Sequence, residues 1–154
     1  MAQVKAVPEG MHTVTPALTI NGAAQAIDWF KRALGAEEIM RAPDPSGQKI
    51  WHAMIRIGNS MVFVNDDFPE MGGGKPSPAR LWIYTDGVDA AWKRATDAGA
   101  KVKMPIGDMF WGDRMGTIVD QWGNEWTLAQ HTKDMTPEEM KKAEDAFVAS
   151  MPKK

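Results

Sequence analysis

Cysteine is absent from this sequence, which excludes disulfide bonds, thiolate nucleophiles and cysteine-based zinc sites. Positive charge is not in excess either, because 18 Lys and Arg residues face 20 Asp and Glu residues and the formal net charge is −2. A nucleic-acid partner is therefore not expected. No apolar run reaches the about 18 residues that suggest a membrane span, and residues 1–5 lack the apolar segment of a signal peptide. We expect a cytoplasmic protein with no membrane partner.

Tryptophan and methionine, by contrast, are abundant. The 154 residues include 7 Trp and 12 Met, and 44% of the chain is hydrophobic. That hydrophobic fraction is ordinary for a globular protein, and the length suits one domain or two small modules that share a core. Because Trp and Met fill cores but also line adaptable apolar pockets, the composition is compatible with a small-molecule site.

Paired landmarks recur along the chain at spacings of 65, 65 and 64 positions, the last from Gly35-Ala36 to Gly99-Ala100, and indicate an internal duplication. Asn21-Gly22 precedes one apolar-periodic helical segment, and Asp86-Gly87 precedes another 65 positions later. Gly58-Asn59 and Gly123-Asn124 precede two short apolar runs at the same spacing. Each unit is therefore predicted to contain a strand, a helix and further strands.

The predicted organisation is a first module over 13–65, a linker over 66–79, a second module over 80–132 and a C-terminal helix over 135–150. Apolar spacings of three and four residues predict module helices over 23–34 and 88–98. Alternation and short apolar runs predict strands over 14–20, 50–57, 61–64, 80–85, 117–119 and 125–129. The linker is rich in glycine and proline.

The C-terminal helix has a clear start signal. Thr136 is suited to the N-cap, Pro137 to the first helical position, and Glu139 completes a capping box. An apolar stripe follows, formed by Met140, Ala143, Phe147 and Met151. The helix is predicted either to dock on the body of the protein or to serve as a dimer contact or a lid.

Alternation along the strands separates an apolar face, suited to packing under the helices, from a mixed face. We assign Met54, Val62 and Val64 to the mixed face together with several polar or amphipathic side chains. These are Thr15, Thr19, His52, Arg80, Trp82, Tyr84 and Thr127. If the units form one curved sheet, the mixed face lines a cavity of the kind a small-molecule site requires. A face open to solvent is the alternative.

The most specific segments are F-W-G-D-R-M-G over 110–116 and D-Q-W-G-N-E-W over 120–126. Over about residues 13–132 the sequence resembles the vicinal oxygen chelate superfamily of glyoxalases, bleomycin-resistance proteins and dioxygenases, and within it a glyoxalase-like subgroup with an F-W-G-D-R motif. Gln121 replaces the proline usual there, and Met54 stands where that subgroup has glutamate. The resemblance implies an α+β fold, in which two βαβββ modules form an eight-stranded curved mixed sheet around a cavity, and a homodimer.

Catalytic members of that superfamily hold a divalent metal through His or Glu at four strand positions. The resemblance places these positions at Thr15, Val62, Arg80 and Thr127. Arginine repels a cation and valine has no donor atom, and a register shifted by one residue offers no better set. We therefore predict no cofactor and no use of the family metal, with a divalent metal at other positions as the alternative.

The candidate ligand-binding residues come from the mixed face and from the 110–116 segment. They are His52, Arg80, Trp82, Tyr84, Phe110, Trp111, Asp113, Arg114 and Thr127. His52 is the catalytic candidate, because imidazole titrates near neutral pH, and a hydrogen-bonded structural histidine is the alternative. Asp113 and Arg114 either form an ion pair that closes a hairpin or leave Arg114 to bind an anionic ligand. A metal site built from His12, His52 and His131 is not expected.

Three functions remain open from the sequence. The leading hypothesis is binding of a small anionic or aromatic molecule in a sheet cavity without a metal. The second is a lyase, isomerase or dioxygenase of the same superfamily, working through His52 or through an unrecognised metal site. The third is a protein-interaction module that uses the C-terminal helix.

Overall fold

The structure, a computed structural model, describes residues 4–72 and 74–153. The first elements are β1 (Ala17–Thr19), α1 (Ala23–Leu34), β2 (Glu37–Pro43), β3 (Ile50–Ile57), β4 (Ser60–Asn65) and a short 3-10 helix (Pro69–Met71). The later elements are β5 (Arg80–Tyr84), α2 (Val88–Asp97), β6 (Lys101–Asp108), β7 (Asp113–Val119), β8 (Glu125–His131) and α3 (Pro137–Ser150).

The strands form two four-stranded mixed sheets with the orders β1-β4-β3-β2 and β5-β8-β7-β6. In each sheet the first strand of the module is parallel to its last strand, and the remaining pairs are antiparallel. The α+β fold with a pair of βαβββ modules and a C-terminal helix is thus confirmed. The chain divides into two compact units, one from the residues up to 79 with 121–123, and one from 80–120 with the residues from 124 onwards.

Helix α1 forms where the apolar periodicity predicted it. Ala26, Ile27 and Phe30 on its inner face are completely buried, and burial of such a face supplies most of the stability of a helix in a protein. The helix ends at Gly35, whose φ of 65° is the left-handed conformation that glycine adopts without steric cost.

The N-termini of α1 and α2 are capped by side chains from the ends of distant strands. The residue before α1 is Gly22, which has no side chain, and Asp66 Oδ1 accepts the N–H groups of Gly22 and Ala23 at 2.9 and 3.1 Å. In the second unit Gln130 Oε1 accepts the N–H of Val88 at 3.2 Å. These bonds satisfy backbone donors that a helix start leaves unpaired.

The positions of strands β2 and β6 were not predicted from the sequence, although the eight-stranded fold implied by the resemblance includes them. Both lie at the edge of their sheets, and most of their residues are exposed or half-buried. An edge strand with little burial does not need the alternation of apolar residues by which strands are recognised. Strand β1 is shorter than the predicted 14–20, and Pro16, which cannot donate a ladder hydrogen bond, lies just before it.

The assignment of Val62 and Val64 to the mixed face is wrong. Val62 pairs with Ile55 and Val64 with Ala53, and all four side chains are buried on the α1 side of the sheet. The residue between the two valines is Phe63, which pairs with Met54 and therefore occupies the mixed face.

The error arises because the spacing between matched residues of the two modules is not constant along the chain. The β3–β4 hairpin closes with Ile57 opposite Ser60, whereas the β7–β8 hairpin closes with Asp120 bonded to Asn124. The second loop is longer by one residue, so matched residues of the two modules lie 63 positions apart before the loop and 64 positions apart after it, instead of the assumed 65. A shift of one residue turns every side chain of a strand to the other face.

Helix α3 begins with the predicted capping box. The N–H of Glu139 donates to Thr136 Oγ1 at 3.2 Å, and the N–H of Thr136 donates to Glu139 Oε2 at 2.9 Å. None of the helix residues is buried, and Phe147 and Met151 of the apolar stripe are about half exposed. Across the described parts of the chain, no helix combines the length and apolarity needed to cross a membrane.

Candidate functional site

Three candidate residues project side by side from β5, an edge strand of the second sheet. Arg80, Trp82 and Tyr84 alternate with half-buried neighbours along the strand, so they share the face that points away from α2. The Trp82 side chain is 47% exposed and the Tyr84 side chain is 62% exposed, and their ring centroids lie 6.2 Å apart. This group, which we call the β5 rim, presents two exposed aromatic rings on one face of the strand.

The β5 rim borders a buried polar pair. Thr127 on β8 lies beside Trp82 and opposite Thr117 on β7, and the two threonine hydroxyls are hydrogen-bonded at 2.9 Å. Both threonines are buried, and a mutual bond satisfies hydroxyls that would otherwise be costly to bury. Thr127 therefore lies on the predicted face, with its hydroxyl engaged by Thr117.

A network centred on one buried carboxylate continues the same face beyond Tyr84. Asp113 is 4% exposed, and its Oδ2 accepts the Tyr84 hydroxyl at 2.9 Å and the Trp111 indole N–H at 3.2 Å. Its Oδ1 lies 2.8 Å from Nδ1 of His131. The structure thus brings together three predicted residues and His131, which was not predicted as a site residue.

The electrostatics of this network favour a charged pair. Burial opposes ionisation of Asp113, but the hydrogen bonds from His131, Tyr84 and Trp111 outweigh it and lower the pKa of the carboxyl. The bond to Asp113, followed by a bond to Asp134, raises the pKa of His131. The bond that Tyr84 donates to the carboxylate raises the pKa of the phenol, so Tyr84 stays protonated at neutral pH.

The imidazole of His131 lies between two carboxylates. Its Nδ1 faces the buried Asp113, and its Nε2 lies 2.9 Å from Oδ1 of Asp134, whose side chain is fully exposed. The sequence does contain a signal for His131. Continuing the alternation of β8 from Thr127 through Ala129 places His131 on the same mixed face as Thr127.

At the other end of the β5 rim, Arg80 takes part in a charge cluster. Its Nε lies 3.0 Å from Oε2 of Glu125, and Lys103 also contacts the Glu125 carboxylate. Hydrogen bonding from Lys103, helped by the charge of Arg80, lowers the pKa of Glu125. The Arg80 side chain remains 82% exposed, so its guanidinium keeps donors for a ligand.

The 110–113 segment lies against the chain that leads into α3. Phe110 packs edge-on against Trp111, with ring centroids 5.1 Å apart, and contacts Phe147 of α3 at 5.0 Å. The carbonyl of Gly112 accepts N–H groups from Thr132 and Lys133 at 2.8 and 3.0 Å. Phe110 therefore packs against α3 and helps to fix the C-terminal segment on the second unit.

Two candidates lie apart from this network. Adjacent side chains on a strand point to opposite faces, so Arg114 points away from Asp113 and pairs with Asp89 at 2.9 Å and Asp108 at 3.3 Å. The Asp113–Arg114 ion pair considered from the sequence is replaced by these contacts. His52 lies in the first unit, where its half-buried ring packs edge-on against Phe63 at 4.7 Å.

The side chains at the family's metal positions do not fit a divalent cation. Thr15 precedes β1 and Val62 is buried on the α1 side, and Phe63, the structural counterpart of Thr127, has no donor atom. Arg80 is cationic, and divalent ions favour carboxylate, imidazole or thiolate donors. Over residues 4–72 and 74–153, His, Asp and Glu side chains form no group of three that could hold a metal ion.

Comparison with known proteins places the fold among described families. The family model named Glyoxalase/Bleomycin resistance protein/Dioxygenase superfamily matches residues 11–128. An uncharacterised protein from Mycobacterium bovis is 37% identical over 138 residues, which cover 84% of this chain and 90% of that protein.

Solved structures show the same likeness. TioX from Micromonospora sp. ML1 is 25% identical, with a TM-score of 0.67 over 78% of this chain and 98% of TioX. A superfamily member from Sphaerobacter thermophilus is 22% identical, with a TM-score of 0.58 over 77% of this chain and 98% of that protein. The second likeness is one of fold alone.

Proposed function

We propose that this chain, which belongs to the glyoxalase/bleomycin resistance protein/dioxygenase superfamily, binds a small aromatic or anionic molecule on the β5 rim without the family's metal. The observation that carries the proposal is the joint exposure of Trp82 and Tyr84 beside Arg80 on one face of an edge strand. Exposed aromatic groups next to a few fixed polar groups are the usual composition of a small-molecule site.

The polar groups around the β5 rim support orientation of such a ligand. Arg80 offers exposed guanidinium donors to an anionic group. The Tyr84 hydroxyl uses its proton in the bond to Asp113, so its oxygen can accept a hydrogen bond from the ligand. Aromatic faces take up planar apolar groups at low entropic cost, because the two rings have few rotatable bonds.

The test is a calorimetric screen of aromatic acids and their neutral analogues against the wild type, Trp82→Ala and Arg80→Ala. We expect both substitutions to weaken binding by about ten-fold, since each removes a contact worth about 1–2 kcal/mol. Trp51→Ala is the matched control for the tryptophan, because Trp51 is 45% exposed in the first unit, and Arg32→Ala on α1 is the control for the arginine. Ligands that bind Trp82→Ala and Arg80→Ala as tightly as the wild type contradict the assigned site.

A lyase, isomerase or dioxygenase activity is the second candidate, and the Asp113–His131 pair favours it. A buried carboxylate bonded to Nδ1 holds the imidazole in a fixed orientation with Nε2 towards solvent, as proton-transferring histidines require. Metal analysis of protein purified without chelators tests the metal-dependent form of this candidate, and a near-stoichiometric divalent ion would overturn the metal-free proposal. Membership of the F-W-G-D-R subgroup, a cytoplasmic location and a homodimer complete the proposal and rest on the sequence alone.

A further inference from the structure

The Asp113 network reaches solvent through the imidazole of His131. The side chain is 52% exposed, and Nδ1 is already bonded to Asp113 at 2.8 Å. When both ring nitrogens carry protons, Nε2–H is a charged donor whose direction is set by the buried carboxylate beneath it. A donor held in place before binding loses little entropy when it meets an acceptor.

The surroundings of His131 favour its charged form. Asp113 on β7 and Asp134 in the segment before α3 both contact the ring, and together they raise its pKa. Tyr84 on β5 reaches the network through Asp113, and Lys133 is the neighbouring cation in the chain. Removing either ring proton would leave a nitrogen lone pair facing a carboxylate, so this geometry favours the imidazolium.

The partner of Nε2 in this structure is itself a carboxylate, and a weakly held one. The side chain of Asp134 is fully exposed, and ion pairs at such positions are weak because water screens them and both side chains must be ordered. The contact with Asp134 therefore shows that Nε2 of His131 pairs with a carboxylate. Because Asp134 is held only weakly, another carboxylate can displace it.

We propose that Nε2 of His131 binds the carboxylate of an aromatic organic acid, and that Asp134 occupies this position as a built-in competitor. The proposal rests on the proposed function, because the apolar part of the acid is taken to lie on Trp82 and Tyr84, which share the face of His131. It narrows the ligand class from aromatic or anionic molecules to aromatic carboxylates, and it assigns the carboxylate to His131 instead of to Arg80, which lies at the other end of the β5 rim.

The experiment is an NMR titration with 2-naphthoate and its neutral analogue 2-naphthamide, following the imidazole ¹⁵N signals of His131. We expect 2-naphthoate to shift these signals. Asp134→Ala should tighten its binding by about three-fold, and His131→Gln should weaken it by about ten-fold. Glu144→Ala, which removes an exposed carboxylate from α3, is the control for negative charge alone and should leave the affinity unchanged.

The pH dependence of binding is a further readout. Because the pKa of His131 is raised, binding of 2-naphthoate should persist above pH 6.5 and fall as the pH passes the raised pKa of His131.

The outcomes separate this inference from the proposed function. Equal binding of acid and amide, lost in Trp82→Ala but kept in His131→Gln, overturns the carboxylate assignment and leaves the β5 rim standing. Carboxylate binding that depends on His131 but not on Trp82 supports the His131 site and overturns the β5 rim. Unchanged affinity in Asp134→Ala overturns the role of Asp134 as a competitor, and this variant is informative even if His131→Gln does not fold.

Discussion

At the scale of single residues, Asp113 connects more segments of the second unit than its place in a sequence motif indicates. Its two carboxylate oxygens accept hydrogen bonds from Tyr84, Trp111 and His131, which lie on β5, on a loop and at the end of β8. A buried carboxylate is stable only when such donors surround it. The residue joins three separate segments because its charge must be satisfied locally.

Replacing Asp113 with Asn should lower the free energy of unfolding by about 2 kcal/mol, because the amide loses the negative charge and presents N–H groups to existing donors. Urea denaturation monitored by circular dichroism measures the loss. Asp108→Asn is the matched control, since the Asp108 side chain is 80% exposed and only shares Arg114, and it should change stability by less than about 0.5 kcal/mol. A similar effect of both substitutions would show that the network adds nothing beyond a surface pair.

The sequence singled out Asp113, Tyr84 and Trp111 as candidate residues, but their mutual hydrogen bonds could not be predicted. Sequence spacing assigns a side chain to a face of a strand, whereas a hydrogen bond between β5, β7 and a loop depends on how the strands pair. His131 was missed for a different reason, since the predicted strand stopped at residue 129 and β8 continues to His131.

At the scale of elements, the helices were more predictable than the strands. Apolar spacing placed α1 and α2 within one residue of their observed ends, and the Thr136 capping box placed the start of α3. The faces of β4 could not be obtained by transferring one spacing from module to module, because matched residues lie 65 positions apart in β1 and β5, 63 apart in β3 and β7, and 64 apart in β4 and β8. Hairpin length has to be known before such a transfer is valid.

Asp66 provides the element-scale prediction. Its carboxylate accepts N–H groups from Gly22, Ala23 and Ile50, so it joins the start of α1 to the start of β3. Asp66→Ala should lower the free energy of unfolding by about 2–3 kcal/mol, because two buried donors and one half-buried donor lose their partner.

Asp28→Ala is the control for that change, since Asp28 is an exposed carboxylate of α1 with only a 3.9 Å contact to Arg41. Thermal or urea unfolding of both variants measures the difference. Hydrogen exchange at the first turn of α1 should rise in Asp66→Ala and stay unchanged in Asp28→Ala, and a uniform rise in both would contradict a capping role.

At the scale of the whole molecule, the duplicated landmarks predicted the pair of βαβββ modules because each module repeats the same local rules of turn, helix and strand. Oligomeric state does not follow from such rules. The homodimer remains a prediction from resemblance. The sequence analysis named α3 as one candidate for the dimer contact, and three apolar residues at its C-terminal end are about half exposed: Phe147, Val148 and Met151.

Sedimentation tests the homodimer prediction directly. A homodimer would sediment at twice the 17.0 kDa mass of the chain, and truncation after Asp134 should convert it to a monomer if α3 forms the contact. Thr136→Ala, which removes only the helix cap at a cost of about 1 kcal/mol, should leave the dimer intact. A monomer at all concentrations would refute the homodimer. A dimer that survives truncation would show that the dimer contact lies outside α3.

The assignment of residues 121–123 to the first compact unit bears on any attempt to express that unit by itself. Within it, the Trp122 ring lies 6.3 Å from Trp29 and 6.0 Å from Phe30, so three aromatic rings belong to one hydrophobic cluster. A gene fragment that stops at Ala79 would encode the helix and all four strands of the unit and still lack one wall of its aromatic cluster. The boundary in the sequence and the boundary of the folded body are therefore different, and domain excision has to follow the second.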